Sequence, residues 1–279
     1  MPQHERLRRI SSRQNSLVKE LRRAFHDGEA APDGSIAIES VRIIEEAIRS
    51  GLRFRAVFIN ESAQARAERL LPQLAANVET LLLPDEIFAS AVATENPQGV
   101  AALVRLKPHK LDDLFAASEP LIVVAAGVQD PGNLGTIIRS AEAFGAAGVM
   151  VTAGTVSPFN AKVVRASAGS LFRLPILQLD AGKLASLLRD RGLKLLAASS
   201  HKGASIEEAD LTAAVALIIG NEGAGVPREL LRQADGQVAI PHGDKVDSLN
   251  AGVAASILLY EASRQRRTAF STQPSALSG

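Results

Sequence analysis

A chain of 279 residues, 46% apolar and 22% charged, is long enough for two folded domains and can bury a sizeable core. A net charge of +1 excludes the global basic field of a nonspecific nucleic-acid coat, so any nucleic-acid contact has to come from local clusters. The lack of cysteine excludes disulfides, cysteine-ligated zinc and thiol catalysis, and the five histidines (His4, His26, His109, His201, His242) have no ligand spacing, so no metal site is expected.

No apolar run approaches the roughly 18 residues of a membrane span. The start of the chain has no apolar signal-peptide core, and Glu5 and Glu20 weigh against a transit peptide. A soluble cytoplasmic protein without a membrane partner is the expectation.

Residues 1–25 hold seven Lys/Arg (Arg6, Arg8, Arg9, Arg13, Lys19, Arg22, Arg23) against two acids. Leu17, Val18, Leu21 and Phe25 fall at helical spacing, which predicts a helix over 16–25 with the basic residues mostly opposite. That face reads as a phosphate-contacting surface or as an ordinary solvated one. A turn at 27–35, a strand at 36–38 and a helix at 41–49 follow. Its apolar stripe is Val41, Ile44 and Ile48, with i,i+4 pairs Arg42–Glu46 and Glu45–Arg49 and Gly51 closing it. Strand 56–59, helix 63–75, strand 80–83, helix 85–90, a loop at 95–99 and strand 100–105 complete a small α/β domain without a catalytic constellation.

Residues 108–118 read as a linker with a short helical piece from 111. A fully apolar strand at 121–126 then runs into a turn, 127–132. A helix expected to be capped by Asn133 carries Leu134, Ile137, Ile138, Ala141 and Phe144 on its apolar side. Asn133, Thr136, Arg139 and Ser140 lie on the complementary side, at a strand–turn–helix junction where open parallel sheets place ligands. Strand 148–152 and helix 160–168, which bears Lys162 and Arg165, come next. Strand 175–178, helix 181–191, strand 194–199 and a polar loop at 199–203 follow.

The stretch 217–250 is the most informative. An apolar run, 215–219, stops at Gly220-Asn221-Glu222-Gly223-Ala224-Gly225, a glycine loop that lets backbone groups approach a ligand. Pro227 suits the first turn of a helix over 226–233, and a strand at 237–240 ends at Pro241. A last helix is expected over 248–265, capped by Asp247 or Ser248. Its small residues 251, 252 and 254–256 allow close packing, and Arg264, Arg266 and Arg267 stand at its basic end. Residues 268–279 read as a disordered tail.

Neither glycine loop matches G-x-G-x-x-G, and no phosphate-loop signature or nucleophile elbow is present. The loops are ligand candidates without a standard nucleotide fingerprint.

Three ordered motifs carry a resemblance. Gln129-Asp130-Pro131-Gly132-Asn133-Leu134-Gly135 with Ile138-Arg139-Ser140-Ala141, then Ile219 through Gly225, then Ile240-Pro241 with Ser248-Leu249-Asn250 resemble the motifs of the SpoU (TrmH-like) RNA 2′-O-ribose methyltransferases of the SPOUT superfamily. Phe144-Gly145-Ala146 and Ser167-Ala168-Gly169 fit between them, and the loop at 95–99 fits the L30e-like substrate-binding domain that these enzymes often carry. The one departure is His242-Gly243-Asp244-Lys245, where a Met and less charged residues are common.

The resemblance implies an L30e-like RNA substrate-binding domain at 1–107, a linker at 108–118, a SPOUT methyltransferase domain at 119–267 and the tail beyond. The fold it implies is α/β, with a parallel sheet and a deep trefoil knot, plus the smaller N-terminal α/β domain. Topology rules alone would have drawn an unknotted sheet. It further implies S-adenosyl-L-methionine as cofactor, bound around Ser199, Gly220, Asn221, Glu222, Gly223, Ile240, Leu249 and Asn250. Methyl transfer to a ribose 2′-hydroxyl is assigned to Arg139 with Asn133, Glu222, Ser248 and Asn250.

A guanidinium stays protonated near pH 7. Arg139 is therefore either a proton acceptor helped by the substrate phosphate or a cation that fixes that phosphate. Glu222 holds Arg139 or Asn133, or merely caps its loop. RNA contacts are expected from Arg8, Arg9, Arg13, Lys19, Arg139 and Arg165. The resemblance also implies a homodimer with Gly252 and its alanine neighbours near the interface. Ribosomal RNA is the expected substrate over tRNA, with a tRNA methyltransferase, a non-catalytic RNA-binding protein and a dinucleotide enzyme as the competing readings.

Overall fold

The structure is a computed structural model that describes residues 7–272 apart from 68, 95 and 244, and the backbone alone for residues 270–272. The chain divides into two compact units, one formed by residues up to Pro108 with Ser157–Arg173, the other by His109–Val156 and everything from Leu174 onward.

In the first unit the strands β1 (Leu7–Arg9), β2 (Ser35–Glu39), β3 (Arg53–Asn60), β4 (Glu79–Leu83) and β5 (Val100–Arg105) form one mixed sheet in the order β1-β4-β3-β5-β2. Helix α1 (Ser16–Asp27) starts where the Asn15 side chain accepts hydrogen bonds from the backbone N–H of Leu17 and Val18, and it buries the expected four apolar residues. Helix α2 (Val41–Arg49) has the expected limits, but its buried set is Val41, Ile43, Ile44 and Ala47, with Ile48 half-buried. Its expected i,i+4 pairs do not form. Glu46 pairs with Arg49 and Arg173, and Glu45 with Arg69.

The helix expected over 63–75 breaks into short turns, of which α3 (Gln64–Ala67) is the only α-helical piece among the described residues. Pro72 lacks an N–H and disfavours helix at the residue before it, which accounts for the interruption. Helix α4 (Asp85–Ala89) follows β4 as expected.

Helix α6 (Ala161–Ala166) belongs to this unit, although sequence order alone assigns it to the domain beginning at residue 119. Val163 and Val164 are buried, and Gly169, at φ +92°, leaves no room for a Cβ beside the Glu46 side chain.

The second unit is built on an all-parallel seven-stranded sheet in the order β10-β12-β9-β11-β6-β7-β8. These strands are β6 (Leu121–Ala125), β7 (Gly148–Val151), β8 (Ile176–Gln178), β9 (Lys194–Ser199), β10 (Ala204–Ser205), β11 (Val215–Ile219) and β12 (Gly236–Ala239). Central β6 and β11 are buried at every residue, as continuous apolar runs in a two-sided parallel sheet must be. Helices α5 (Pro131–Ala143), α7 (Ala181–Asp190), α8 (Arg228–Gln233) and α9 (Ala251–Thr272) cover it. No helix among the described residues is long and apolar enough to cross a membrane.

Strand β12 hydrogen-bonds to β9 on one side and to β10 on the other. Since β9 and β10 are consecutive in the chain, the connection between them crosses β12. The chain leaving β12 continues into α9, whose second half is clasped by residues 209–213. Gln265 bonds the backbone of Ala209 and Leu211, and Arg266 donates to the carbonyls of Leu211 (2.9 Å), Ala213 (2.6 Å) and Glu119 (2.5 Å). Burial lowers the Arg266 pKa against the opposing pull of Glu119 and Asp210.

Arg266 is thus an internal clasp rather than part of a basic helix end. The helix runs on to Thr272, past the expected start of a tail at 268, and 273–279 lie outside the described residues.

Candidate active site

Three parallel strands end side by side at their carboxyl edge, at Ser199 of β9, Ile219 of β11 and Ala239 of β12. The loops that follow them enclose a cavity of about 570 Å³. Ligands of open parallel sheets sit outside such strand ends. Ser199, Gly220, Asn221, Glu222, Gly223, Ile240, Ser248 and Leu249, all named from the sequence, line it. Asn250, Asn133 and Arg139 are not among the lining residues.

The glycine loop is a self-closed turn. Asn221 and Gly225 exchange two backbone hydrogen bonds of 2.9 Å, and the Asn221 carboxamide oxygen accepts from the N–H of Gly223 and Ala224. Its amide nitrogen donates to the Gly127 carbonyl at 2.9 Å. A Cβ on Gly220 would lie 2.1–2.4 Å from the backbone of Gly225 and Val226. Glycine is therefore required at 220 by the loop's own closure. Gly223 has room for a Cβ, whose nearest neighbour would be Asn221 Oδ1 at 3.7 Å.

Helix α5 is capped by Asp130, whose carboxylate accepts from the Asn133 N–H at 2.8 Å, with Pro131 at the first helical position. Asn133 is thus inside the first turn rather than the cap. It is buried, and its Nδ2 donates to Glu222 at 2.8 Å. The same carboxylate accepts the N–H of Gln129 (3.4 Å) and Asp130 (3.3 Å) and the Asn221 amide (3.4 Å). Of the three roles open to Glu222, the structure combines two: it holds Asn133 and caps the loop before α5. Desolvation pushes its pKa up, but the donors from Asn133 and the backbone outweigh this and hold it below the ordinary glutamate value.

Arg139, two turns along α5, is exposed and forms no hydrogen bond or ion pair with the described residues. Ser140 and Ser256 share a hydrogen bond of 2.7 Å that ties α5 to α9. Gly252 is buried against Thr136 and Asn133, so its small size serves helix contact within the chain rather than an exposed interface. Asn250 caps α9, its Oδ1 accepting from Gly252 (3.0 Å) and Val253 (3.2 Å), which displaces Asp247 and Ser248 from that expected role. Its Nδ2 has no partner among the described residues.

Among the candidate RNA contacts, Arg8 pairs with Glu79 and Arg9 with Glu61, while Arg165 bonds Thr94 and lies 3.9 Å from buried Glu39. Arg13 and Lys19 are exposed without partners among the described residues, as is Arg23. Sequence reasoning missed His201 and His242, which stand 41 residues apart and both line the cavity. Only the adjacency of β9 and β12 brings them together, and no spacing rule reports that.

Residues 120–260 match the SpoU rRNA Methylase family, and residues 15–102 match the MRM3-like substrate binding domain. Over 254 residues the chain is 32% identical to the 23S rRNA (guanosine(2553)-2′-O)-methyltransferase RlmP of Bacillus subtilis, covering 91% of this chain and 98% of that protein. Its fold is similar to the SpoU methyltransferase AviRb of Streptomyces viridochromogenes in complex with the cofactor AdoMet. That match has a TM-score of 0.79 at 28% identity and covers 91% of this chain and 99% of the other. It is also similar to the AdoMet-bound rRNA methyltransferase of Sinorhizobium meliloti, with a TM-score of 0.78 at 28% identity and coverages of 93% and 98%. The motif-bearing loops, the parallel sheet they end and these likenesses agree, and the chain belongs to the SpoU rRNA methylase family.

Proposed function

We propose that this protein transfers a methyl group from S-adenosylmethionine to a ribose 2′-hydroxyl of 23S rRNA. The observation that carries this reading is the cavity at the ends of β9, β11 and β12, walled by the family's second and third motifs. Its volume lies within the range of small-molecule sites. Its wall combines apolar Ile219, Val238, Ile240 and Leu249 with backbone groups of a glycine loop and one unpartnered buried ring nitrogen, a donor and acceptor set that fits an adenosyl ligand. The 23S rRNA substrates named for RlmP of Bacillus subtilis and for the 31% identical uridine(2479) methyltransferase of Streptomyces viridochromogenes support the choice of RNA.

When bound, the cofactor supplies a methyl group on a sulfonium, and the protein's work is alignment and handling of the hydroxyl proton. Ile240 and Leu249 would present apolar side chains to the adenine ring, with Ser199 and Gly223 along the same wall and Asn221 holding the shape of the glycine loop. Glu222 fixes Asn133 and the loop before α5, and so sets where that helix begins. Arg139, unpaired among the described residues and exposed on α5, is the cation we assign to the substrate phosphate. Ser248 and the free Nδ2 of Asn250 stand nearby in the chain to orient the ribose.

The N-terminal unit adds RNA affinity through Arg13, Lys19 and Arg23, with Arg8, Arg9 and Arg165 drawn into ion pairs or hydrogen bonds of their own. A homodimer is supported by Val253, Ile257 and Tyr260, which are 48%, 37% and 49% exposed at i, i+4, i+7 on α9. The Tyr260 ring meets Phe144 edge-on at 5.8 Å. We read the protein as cytoplasmic, a reading in keeping with a ribosomal RNA substrate.

Mapping 2′-O-methyl groups in total RNA from a deletion strain tests the function. Loss of a mark from 23S rRNA is expected, and loss from tRNA alone would redirect the assignment.

A further inference from the structure

His242 lies in the loop after β12, between the two halves of the third motif and belonging to neither. Its Nδ1 is 2.7 Å from the Ile240 carbonyl oxygen. A carbonyl only accepts, so in the neutral ring the proton sits on Nδ1 and Nε2 is a bare acceptor. That Nε2 is buried and has no hydrogen-bond partner. The ring is stacked by His201, which comes from the loop after β9, with centroids 5.0 Å apart and planes inclined by 28°. Both residues line the cavity. Buried polar atoms are nearly always paired, and one left unpaired calls for an explanation such as a missing ligand. Here the tautomer is set by the chain's own backbone and the ring is steadied by a second ring, yet the acceptor itself is unused.

We propose that His242 is a cofactor-binding residue particular to this chain: its Nε2 accepts a hydrogen bond from a hydroxyl or amino group of S-adenosylmethionine, and His201 is the positioning residue that holds the ring for it. The proposal rests on the reading of the cavity as the cofactor site. It assigns affinity to a position where the family resemblance leads one to expect a thioether, which is at best a weak acceptor. A neutral hydrogen bond to a ligand corresponds to about a three- to tenfold change in affinity.

Calorimetric titration of the full chain with S-adenosylmethionine tests it. His242→Met should bind about three- to tenfold more weakly. His242→Gln, which restores an acceptor of similar reach, should recover part of that loss, and His201→Ala should weaken binding by less than His242→Met. In the unmodified protein, with 15N-labelled histidine, saturation with cofactor should move the Nε2 resonance of His242 towards its hydrogen-bonded position while Nδ1 stays. The proposal is overturned if the Nε2 resonance does not move, or if His242→Met binds as tightly as the original chain, including the case where only RNA methylation suffers.

Ala254→Phe separates the two levels, since it fills the cavity from the α9 wall. If that variant, folded by circular dichroism, still binds normally, the cofactor lies elsewhere and the cavity reading falls together with the proposal. If it blocks binding while His242→Met has no effect, the role of His242 alone falls.

Discussion

Asn133 Nδ2 donates to the Glu222 carboxylate at 2.8 Å, joining the first turn of α5 to the glycine loop after β11 across 89 positions of sequence. The same carboxylate gathers the N–H groups of Gln129 and Asp130, so one side chain fixes the relation between the first and second motifs. The depressed pKa of Glu222 has a consequence for stability. A carboxyl whose folded pKa lies below its unfolded value stabilises the fold above the unfolded pKa, and this is lost as pH falls through the folded pKa. The urea midpoint of the original chain should therefore fall more steeply below about pH 4.3 than that of Glu222→Gln. Parallel curves for the two proteins would show that the carboxylate is not held as described.

Gly220→Val should do more than obstruct a ligand. Its Cβ meets Gly225 and Val226 backbone, so the turn must open, at a cost of about 1–3 kcal/mol. Gly223→Ala, which has space, should keep its stability to within about 0.5 kcal/mol. Chemical denaturation of both variants beside cofactor titration separates loop closure from ligand contact. Equal stability of Gly220→Val and the original chain would refute the packing argument.

Ser40 caps α2 by accepting from Ile43 N–H, yet it sits at φ +91° and ψ +145°, a region that suits glycine. Ser40→Gly loses a cap worth a few tenths of a kcal/mol relative to glycine and relieves about 1–3 kcal/mol of backbone strain. Net stabilisation of about 1 kcal/mol is expected by urea unfolding. Destabilisation would mean that the cap outweighs the strain.

Much of this was legible in advance, and the misses have physical causes. Continuous apolar runs marked β6 and β11, and the Ser16–Asp27 helix followed from its four apolar residues. β1 and β10 are edge strands of three and two residues with no alternation to detect. Asn133 looked like a cap because Asn favours that position, but Asp130 before Pro131 was the stronger start signal. The motif residues lining the cavity were readable one loop at a time. The pairing of His201 with His242 required knowing that β12 inserts between β9 and β10.

Arg13, Lys19 and Arg23 should carry the RNA affinity of the N-terminal unit. Replacing all three with Ala should reduce the salt slope of RNA binding by about 0.7–0.9 per lost phosphate contact. Replacing Arg8 and Arg9, already paired with Glu79 and Glu61, should change it less. Filter binding across a salt series reads both, and an equal effect of the two sets would contradict the assignment.

Ile257→Glu with Tyr260→Glu should turn a dimer into a monomer in sedimentation velocity. Both sites are exposed, so the fold should survive. A monomeric original chain would remove the dimer from the account.

The most direct measurement is single-turnover methylation of protein-free 23S rRNA and of tRNA with S-adenosylmethionine, read by mass spectrometry of the ribose, for the original chain, Arg139→Ala and Arg139→Lys. The account predicts a 2′-O-methyl product on 23S rRNA from the original chain, loss of product with Arg139→Ala and cofactor affinity unchanged in that variant. Arg139→Lys keeps the charge but not the planar fork, so appreciable activity would mark simple phosphate attraction, and near-complete loss would mark guanidinium geometry or proton acceptance. Turnover by Arg139→Ala close to that of the original chain, or no ribose product from any protein, would contradict it.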